Sequence, residues 1–220
     1  MVPAMTVPCI IITRDRRGLL LRTLASLEPY DLDVHIVDHG STYEPMLETL
    51  AGIAVTVHYR PSLPPRALWD WEDLPKIVGS NPYLVTDPDL VLDENCPSDW
   101  LHRLGYELAH FGNIVKVGMG IRIDDLPNTP MSEKVCAWEC GFWQTRSALR
   151  SWMAPVDTTL ALNRSLAQAP KFALVPAVRL DTPYLVRHLP WYEDEFPDET
   201  KYYRDHLIPG SSHWSHGGWS

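Results

Sequence analysis

Within its first sixty residues the chain alternates apolar runs with segments of helical periodicity, and this restricts what it can fold into. Val7 to Thr13 is continuous and apolar, the pattern of a strand buried on both faces. A polar stretch, Arg14 to Arg17, separates it from a segment with leucines at 20, 21, 24 and 27, a helical spacing. Val34 to Asp38 reads as a second strand and ends in the turn His39-Gly40-Ser41-Thr42. Pro45 to Ala51 reads as a helix, and Ile53 to Tyr59 as a third strand. Strand-helix-strand-helix-strand predicts an α/β domain with a mostly parallel sheet and right-handed crossovers.

The pattern continues less regularly. Residues 61–65 are a proline-rich loop, and 66–78 read as a helix interrupted by Pro75. Tyr83 to Thr86 is a fourth strand, followed at once by Asp87-Pro88-Asp89. Residues 100–111 predict a helix, 114–123 a strand, 124–132 a mobile lid loop and 136–145 a strand. Asp157-Thr158-Thr159 predicts the cap of a helix running to about 168; residues 172–180 and 184–188 read as extended. The segment from 190 to 220 is aromatic and acidic, too rich in rings for an undocked tail. With 220 residues and no clear linker, a single domain is expected.

Composition excludes several function classes. A net charge of −9 disfavours a broad phosphate-neutralising surface. No apolar run reaches 18 residues, so no membrane-spanning helix is expected, and the N-terminus lacks a signal-peptide pattern. Cys9, Cys96, Cys136 and Cys140 lack zinc spacing and read as free thiols of a reducing cytoplasm, bacterial or in a virus-infected host cell.

The acidic triplet carries the most chemistry. In open α/β sheets, ligands bind outside the carboxyl ends of strands, where Asp87 and Asp89 are expected. Alternate residues of an extended segment point the same way, so both carboxylates can face one ion. Hard divalent cations bind through one or two carboxylates completed by substrate phosphates. A solvated turn is the alternative.

The apolar first strand with Thr13-Arg14, then Ile36-Val37-Asp38-His39-Gly40-Ser41-Thr42, Arg66 and Thr86-Asp87-Pro88-Asp89, resemble in order and rough spacing the GT-A fold glycosyltransferases of the family 2 type. Ala154 to Leu162 looks like the stretch that carries their catalytic base. The resemblance covers about two-thirds of the chain. It implies a nucleotide-sugar-binding half over 7–95, an acceptor-binding half over 96–190 and a tail over 191–220 that folds across the donor. It implies that Asp38 binds the nucleotide base, that Thr13 and Arg14 line base and ribose, that Arg66 meets base or diphosphate, that Asp87 lies near ribose and metal, and that Asp89 ligates Mn2+ or Mg2+. His188 becomes a candidate third ligand and Asp157 a candidate general base. Arg187 or Lys201 could neutralise diphosphate, and Tyr202 to Arg204 and Ser211 to Trp214 could close over the donor. Glu139, between Trp138 and Phe142, could meet acceptor hydroxyls or replace Asp157 as base.

The pattern departs from the family in two places. His39 stands where Asn is usual, and Asp157 lacks the neighbouring acids of the family stretch. Asp38 could equally cap its turn, Asp157 a helix, and His188 could pack at a strand end. The implied activity is inverting, metal-dependent transfer from a nucleoside diphosphate sugar, UDP favoured. The acceptor would be a glycan, a lipid-linked sugar or a hydroxymethylated pyrimidine in viral DNA. A noncatalytic nucleotide-binding module and a nucleotidyltransferase are the alternatives.

Overall fold

The structure is a computed structural model and describes residues 6–168 and 171–208. The first half follows the expected alternation: β1 (Val7–Thr13), α1 (Arg17–Leu27), β2 (Leu32–Asp38), α2 (Glu44–Gly52), β3 (Thr56–Tyr59), a 3-10 helix (Pro65–Asp70), α3 (Leu74–Val78) and β4 (Tyr83–Thr86). After the acidic triplet come β5 (Leu90–Leu92), α4 (Trp100–His110), β6 (Lys116–Gly118), β7 (Gly120–Ile121) and α5 (Pro130–Glu139). The chain continues through β8 (Trp152–Met153), β9 (Ala161–Asn163), β10 (Ala177–Arg179), β11 (Leu185–His188) and α6 (Pro197–Asp205).

Eight strands form one sheet in the order β3-β2-β1-β4-β9-β6-β10-β8. β1 pairs in parallel with both β2 and β4, and β6 with β10, while β9 runs antiparallel between β4 and β6 and β8 antiparallel on the edge. A small second sheet, β5-β11-β7, continues directly from the triplet. The apolar run of β1 supplies both faces of the large sheet. Cys9 and Ile11 pack into the core that holds Leu20, Met46, Trp100 and Leu104; Ile10 and Ile12 pack with Leu68, Trp69, Val78 and Tyr83. Alternate side chains of one strand therefore serve two cores. No helix among the described residues is long and apolar enough to cross a membrane.

Several expectations are corrected. Residues 136–145 are not a strand: α5 occupies 130–139, because Thr129 caps it by accepting from Ser132 N at 3.1 Å and Pro130 sits at its first position. A short 3-10 turn, Cys140–Phe142, follows. The helix expected from Asp157 does not form. Ala161 to Asn163 are claimed by the gap between β4 and β6, and Thr159 Oγ1 binds the Asp157 carboxylate at 2.7 Å, so that side chain is not a helix cap. The helix expected over 66–78 is two pieces, with Pro75 in the first turn of α3, where its missing N–H costs no bond. The strand expected over 114–123 splits at Met119 between the two sheets, and of 172–180 only β10 is strand. The loop at 124–132, expected as a lid, does not line the cavity here and is anchored through Asp125, which accepts from Tyr192 OH at 2.7 Å and pairs with Arg187 at 2.5 Å. The stretch Ser211 to Trp214 lies outside the described residues.

Candidate active site

A cavity of about 490 Å³ opens at the carboxyl ends of β1 and β4, within the range of small-ligand sites. Its floor is the triplet, held from three directions. Asp87 N donates to the Thr158 carbonyl at 3.2 Å, and Thr158 Oγ1 donates to Asp87 Oδ2. Thr23 Oγ1 of α1 reaches the Pro88 and Leu90 carbonyls at 2.7 and 3.0 Å. Leu189 N donates to the Asp89 carbonyl at 2.9 Å. β11 lies antiparallel to β5 with His188 opposite Leu90, so His188 arrives beside Asp89 across nearly a hundred residues of chain. His188 Nε2 stands 3.6 Å from Asp89 Oδ2.

This cluster is charged and incompletely satisfied. Burial pushes the Asp87 carboxyl well above its usual range, and the charges of Asp89 and Asp157 push it further. Burial holds His188 below its usual value, and Arg16 adds to that, while Asp89 and Asp157 oppose it. Among the described residues, Asp89 Oδ1 and His188 Nδ1 are buried without a hydrogen-bond partner. Like charges buried side by side, with an orphaned acceptor and a neutral imidazole, suit a hard divalent cation. Among the described residues no three His, Cys, Asp or Glu side chains form a closed cage. Two carboxylates and an imidazole at one edge of the cavity match the hard-oxygen preference of magnesium or manganese, which take their remaining ligands from phosphate oxygens and water.

Asp157 reaches the same cavity because β9 runs backward. Antiparallel pairing sets the start of β9 beside the end of β4, with Val85 opposite Ala161, so the loop preceding β9 meets the loop following β4. The Asp157 carbonyl accepts from Lys116 Nζ at 3.0 Å. That lysine is 1% exposed, faces the Trp69 and Phe172 rings at 5.4 and 5.9 Å, and is pushed down to about 8 by burial, against the charge of Asp157.

The other expected residues divide. Thr13, Arg14 and Arg66 line the cavity, and Thr13 Oγ1 has no partner. Arg14 donates to the His206 carbonyl at 2.6 Å, joining the end of β1 to the end of α6. Asp38 does not line the cavity. Its carboxylate accepts from Ser41 N at 3.1 and 3.3 Å and from Ser41 Oγ, so it caps the turn after β2. Burial raises its pKa, the Ser41 bonds oppose this, and Asp15 adds to it. Glu139 is also outside the cavity: at the end of α5 it forms a buried ion pair with Arg179 at 2.8 Å. Arg179 Nε in turn donates to the Pro155 carbonyl at 2.8 Å, so the pair braces the Asp157 loop from behind. Arg187 is committed to Asp93 at 3.0 Å and to Asp125, and Lys201 to Asp205 at 2.6 Å. Neither lines the cavity.

Asp15, Lys116 and the Glu199 contact were not read from the sequence, whereas Tyr203 and Arg204 stand where they were expected, at the cavity. Asp15, at φ 52°, caps α2 remotely: its Oδ1 accepts from Thr42 N and Tyr43 N at 2.6 and 2.8 Å. Lys116 was hidden in an apolar run. α6 supplies Tyr203 and Arg204 to the cavity wall and is fixed by Glu199, which accepts from Gly18 N at 2.7 Å and so caps α1. A Gly before a helical leucine pattern was the one available signal for that contact.

No family model and no curated protein matches this sequence. Solved structures do. The structure of GalNAc-T7 with UDP, GalNAc and Mn2+ aligns over 88% of this chain and 45% of that one, with a TM-score of 0.52 and 10% identity. The fold is GT-A. A structure of S. aureus TarS 1–349 aligns over 91% of this chain and 63% of its own, with a TM-score of 0.49 and 13% identity. A UTP-bound UGPase from Acinetobacter baumannii aligns over 94% and 96%, with a TM-score of 0.46 and 11% identity. The chain thus spans less than two-thirds of the GalNAc-T7 and TarS structures. On the GT-A fold, the cavity lies at the carboxyl edge of the parallel strands, where open α/β sheets take their ligands.

Proposed function

We propose that this protein is a divalent-metal-dependent glycosyltransferase that moves a sugar from a nucleoside diphosphate sugar, UDP-linked by preference, to an acceptor hydroxyl with inversion. The observation that carries the reading is the convergence of Asp87, Asp89, Asp157 and His188 on one cavity, with Asp89 Oδ1 buried and unpartnered. Asp87, Asp89 and His188 would hold Mn2+ or Mg2+, which supplies charge stabilisation to the departing diphosphate. Arg14, Arg16 and Arg66 stand around the same space and suit the phosphates and ribose. Thr13 offers its free hydroxyl to the nucleoside.

In the reaction the acceptor oxygen attacks the anomeric carbon from the face opposite the diphosphate. The bond from that carbon to the diphosphate oxygen breaks, and its electron pair leaves with the nucleoside diphosphate. Asp157 takes the acceptor's proton; general-base help of this kind contributes about 100- to 10,000-fold. Lys116 and the Arg179–Glu139 pair support the backbone on which Asp157 stands. The acceptor is a glycan or lipid-linked sugar. A duplex DNA acceptor would call for a broad basic face, at odds with a net charge of −9.

The test is hydrolysis of, and transfer from, UDP-sugars with manganese. Asp89→Asn is expected to lose both turnover and metal-dependent donor binding. Asp157→Asn is expected to keep donor binding and lose transfer. Retained anomeric configuration, or a near-normal transfer rate in Asp157→Asn, would overturn the mechanism. Absence of any UDP-sugar binding in the parent protein would return it to a noncatalytic module.

A further inference from the structure

A second hollow lies outside the candidate active site. It has a volume of about 640 Å³ and is lined by Arg103, Arg146, Arg150, Ser151, Asp181 and Tyr184. Topology places it on the same edge of the sheet as the acidic pair. β10 runs parallel to β6, and both oppose β9, so β10 points the same way as β4. Asp181 follows the end of β10, and Arg150 and Ser151 precede β8, whose Trp152 pairs with Arg179. Arg103 stands in the first turns of α4. From β4 the sheet steps through β9 and β6 to β10. At ~4.8 Å per strand, the hollow lies about 14 Å along the sheet from the acidic pair.

The three guanidiniums are not equally committed. Arg103 spends one nitrogen on Glu107 Oε1 at 2.7 Å and the Leu149 carbonyl at 3.0 Å, while its buried Nε–H meets no acceptor among the described residues. Arg146 lies 3.5 Å over the Trp152 ring and bonds Asp181 and the Arg150 carbonyl. The side chain of Arg150 is exposed and, among the described residues, meets no acceptor. Asp181 and Glu107 each neutralise one arginine, so one full positive charge is left over in a protein whose net charge is −9. The backbone that presents it is unusual. Arg150 sits at φ 68°, inside a turn closed by its N–H to the Ser147 carbonyl at 3.1 Å. A non-glycine residue in that region is uncommon and is retained where its surroundings demand it. Trp152, stacked 6.3 Å from Trp143, adds a flat ring surface behind Arg146 of the kind that packs against sugar faces.

We infer that this hollow is an anion subsite of the acceptor, where the phosphate monoester or carboxylate of a charged saccharide docks on Arg150 and Arg103 while a hydroxyl of the same molecule reaches Asp157. The inference rests on the proposed glycosyl transfer for its biological meaning, and on the arginines alone for the binding. The spacing requires the charge to lie two to three sugar units from the reacting hydroxyl.

The test uses three matched trisaccharide acceptors: neutral, phosphorylated at the terminal sugar, and terminated by a uronate. Arg150→Ala touches nothing in the cavity of the acidic pair, and its loss leaves no described partner unsatisfied. It is expected to raise KM for the charged acceptors roughly tenfold, the scale of one charge-assisted hydrogen bond, and to leave kcat, the neutral acceptor and donor hydrolysis unchanged. Arg150→Lys is expected to recover part of the loss. The phosphate and uronate arms tell which anion is read. Equal effects on charged and neutral acceptors, or none on either, would overturn the subsite. A parent protein without donor hydrolysis would count against the glycosyl-transfer reading instead. The subsite would then stand or fall on the Arg103 and Arg150 Nε–H resonances. Titration with inorganic phosphate is expected to shift them in the parent protein, and unmoved resonances there would also overturn it.

Discussion

Replacing Lys116 with methionine is expected to separate stability from activity. The ammonium is buried to 1% exposure and its pKa is pushed down from 10.5 to about 8. Between those values the unfolded chain binds a proton that the folded chain has released, so stability rises with pH through that window. At 1.36 kcal/mol per unit, a shift of about 2.5 units means that holding the charge inside costs about 3 kcal/mol at pH 7. Methionine is unbranched and of similar reach, and removes that cost. It also removes the bond to the Asp157 carbonyl, whose loss costs about 1–3 kcal/mol. Lys116→Met is therefore expected to range from unchanged to about 2 kcal/mol more stable at pH 7, and to lack the parent's rise between pH 8 and 10. Turnover is expected to fall about tenfold with donor KM held, because the Asp157 loop loses an anchor and small misplacements near reacting groups are costly. The assay is urea unfolding of both proteins from pH 7 to 10, with transfer kinetics at pH 7. A mutant that keeps the alkaline rise, or is more than about 2 kcal/mol less stable at pH 7, would refute the reasoning.

Two further substitutions probe the scaffold. His39 is 1% exposed and pushed down to about 4 by burial and by Arg60, against the Leu63 carbonyl. The unfolded chain therefore binds the extra proton as pH falls from 6.5 to 4, at a cost of up to about 3 kcal/mol; His39→Asn is expected to flatten that loss in urea midpoints taken at pH 6.5 and 4.5. Glu199→Ala removes the acceptor at the start of α1 and is expected to cost about 1–2 kcal/mol, as loss of a helix cap does. It should also speed amide exchange across α6 and raise donor KM, and unchanged exchange there would show that α6 is held by other contacts.

The half of the fold that carries β1 to β4 was legible because β1 and β4 are apolar runs buried on both faces, and the segments between them keep a clear helix-strand alternation up to the edge strand β3. The triplet was legible for the same reason: it follows a strand too apolar to be anything else. Asp157 was singled out by resemblance, and it lines the cavity, but pattern assigned it to a helix that does not form. Asp-Thr-Thr before apolar residues signals a helix cap locally, and only the vacancy between β4 and β6 turns Ala161 to Asn163 into strand. Glu139 is paired with Arg179, forty residues away, a partner that sequence spacing does not single out, and the bond of Asp38 to Ser41 is the turn cap that the sequence offered as the alternative reading. Lys116 gave no signal, since one lysine in an apolar run reads as the solvent side of a strand. His188 depended on the register of β5 with β11, which three-residue strands do not announce.

The bond from Arg14 to the His206 carbonyl joins positions 192 apart. On a ribosome β1 to β4 emerge well before α6, so one wall of the cavity is added late to strands already made. Until residue 206 is free of the exit tunnel, the acidic pair and its neighbours face water on that side. The pocket is therefore complete only when a segment made 192 residues after Arg14 has closed against it, which ties the finished site to the fold of the chain as a whole.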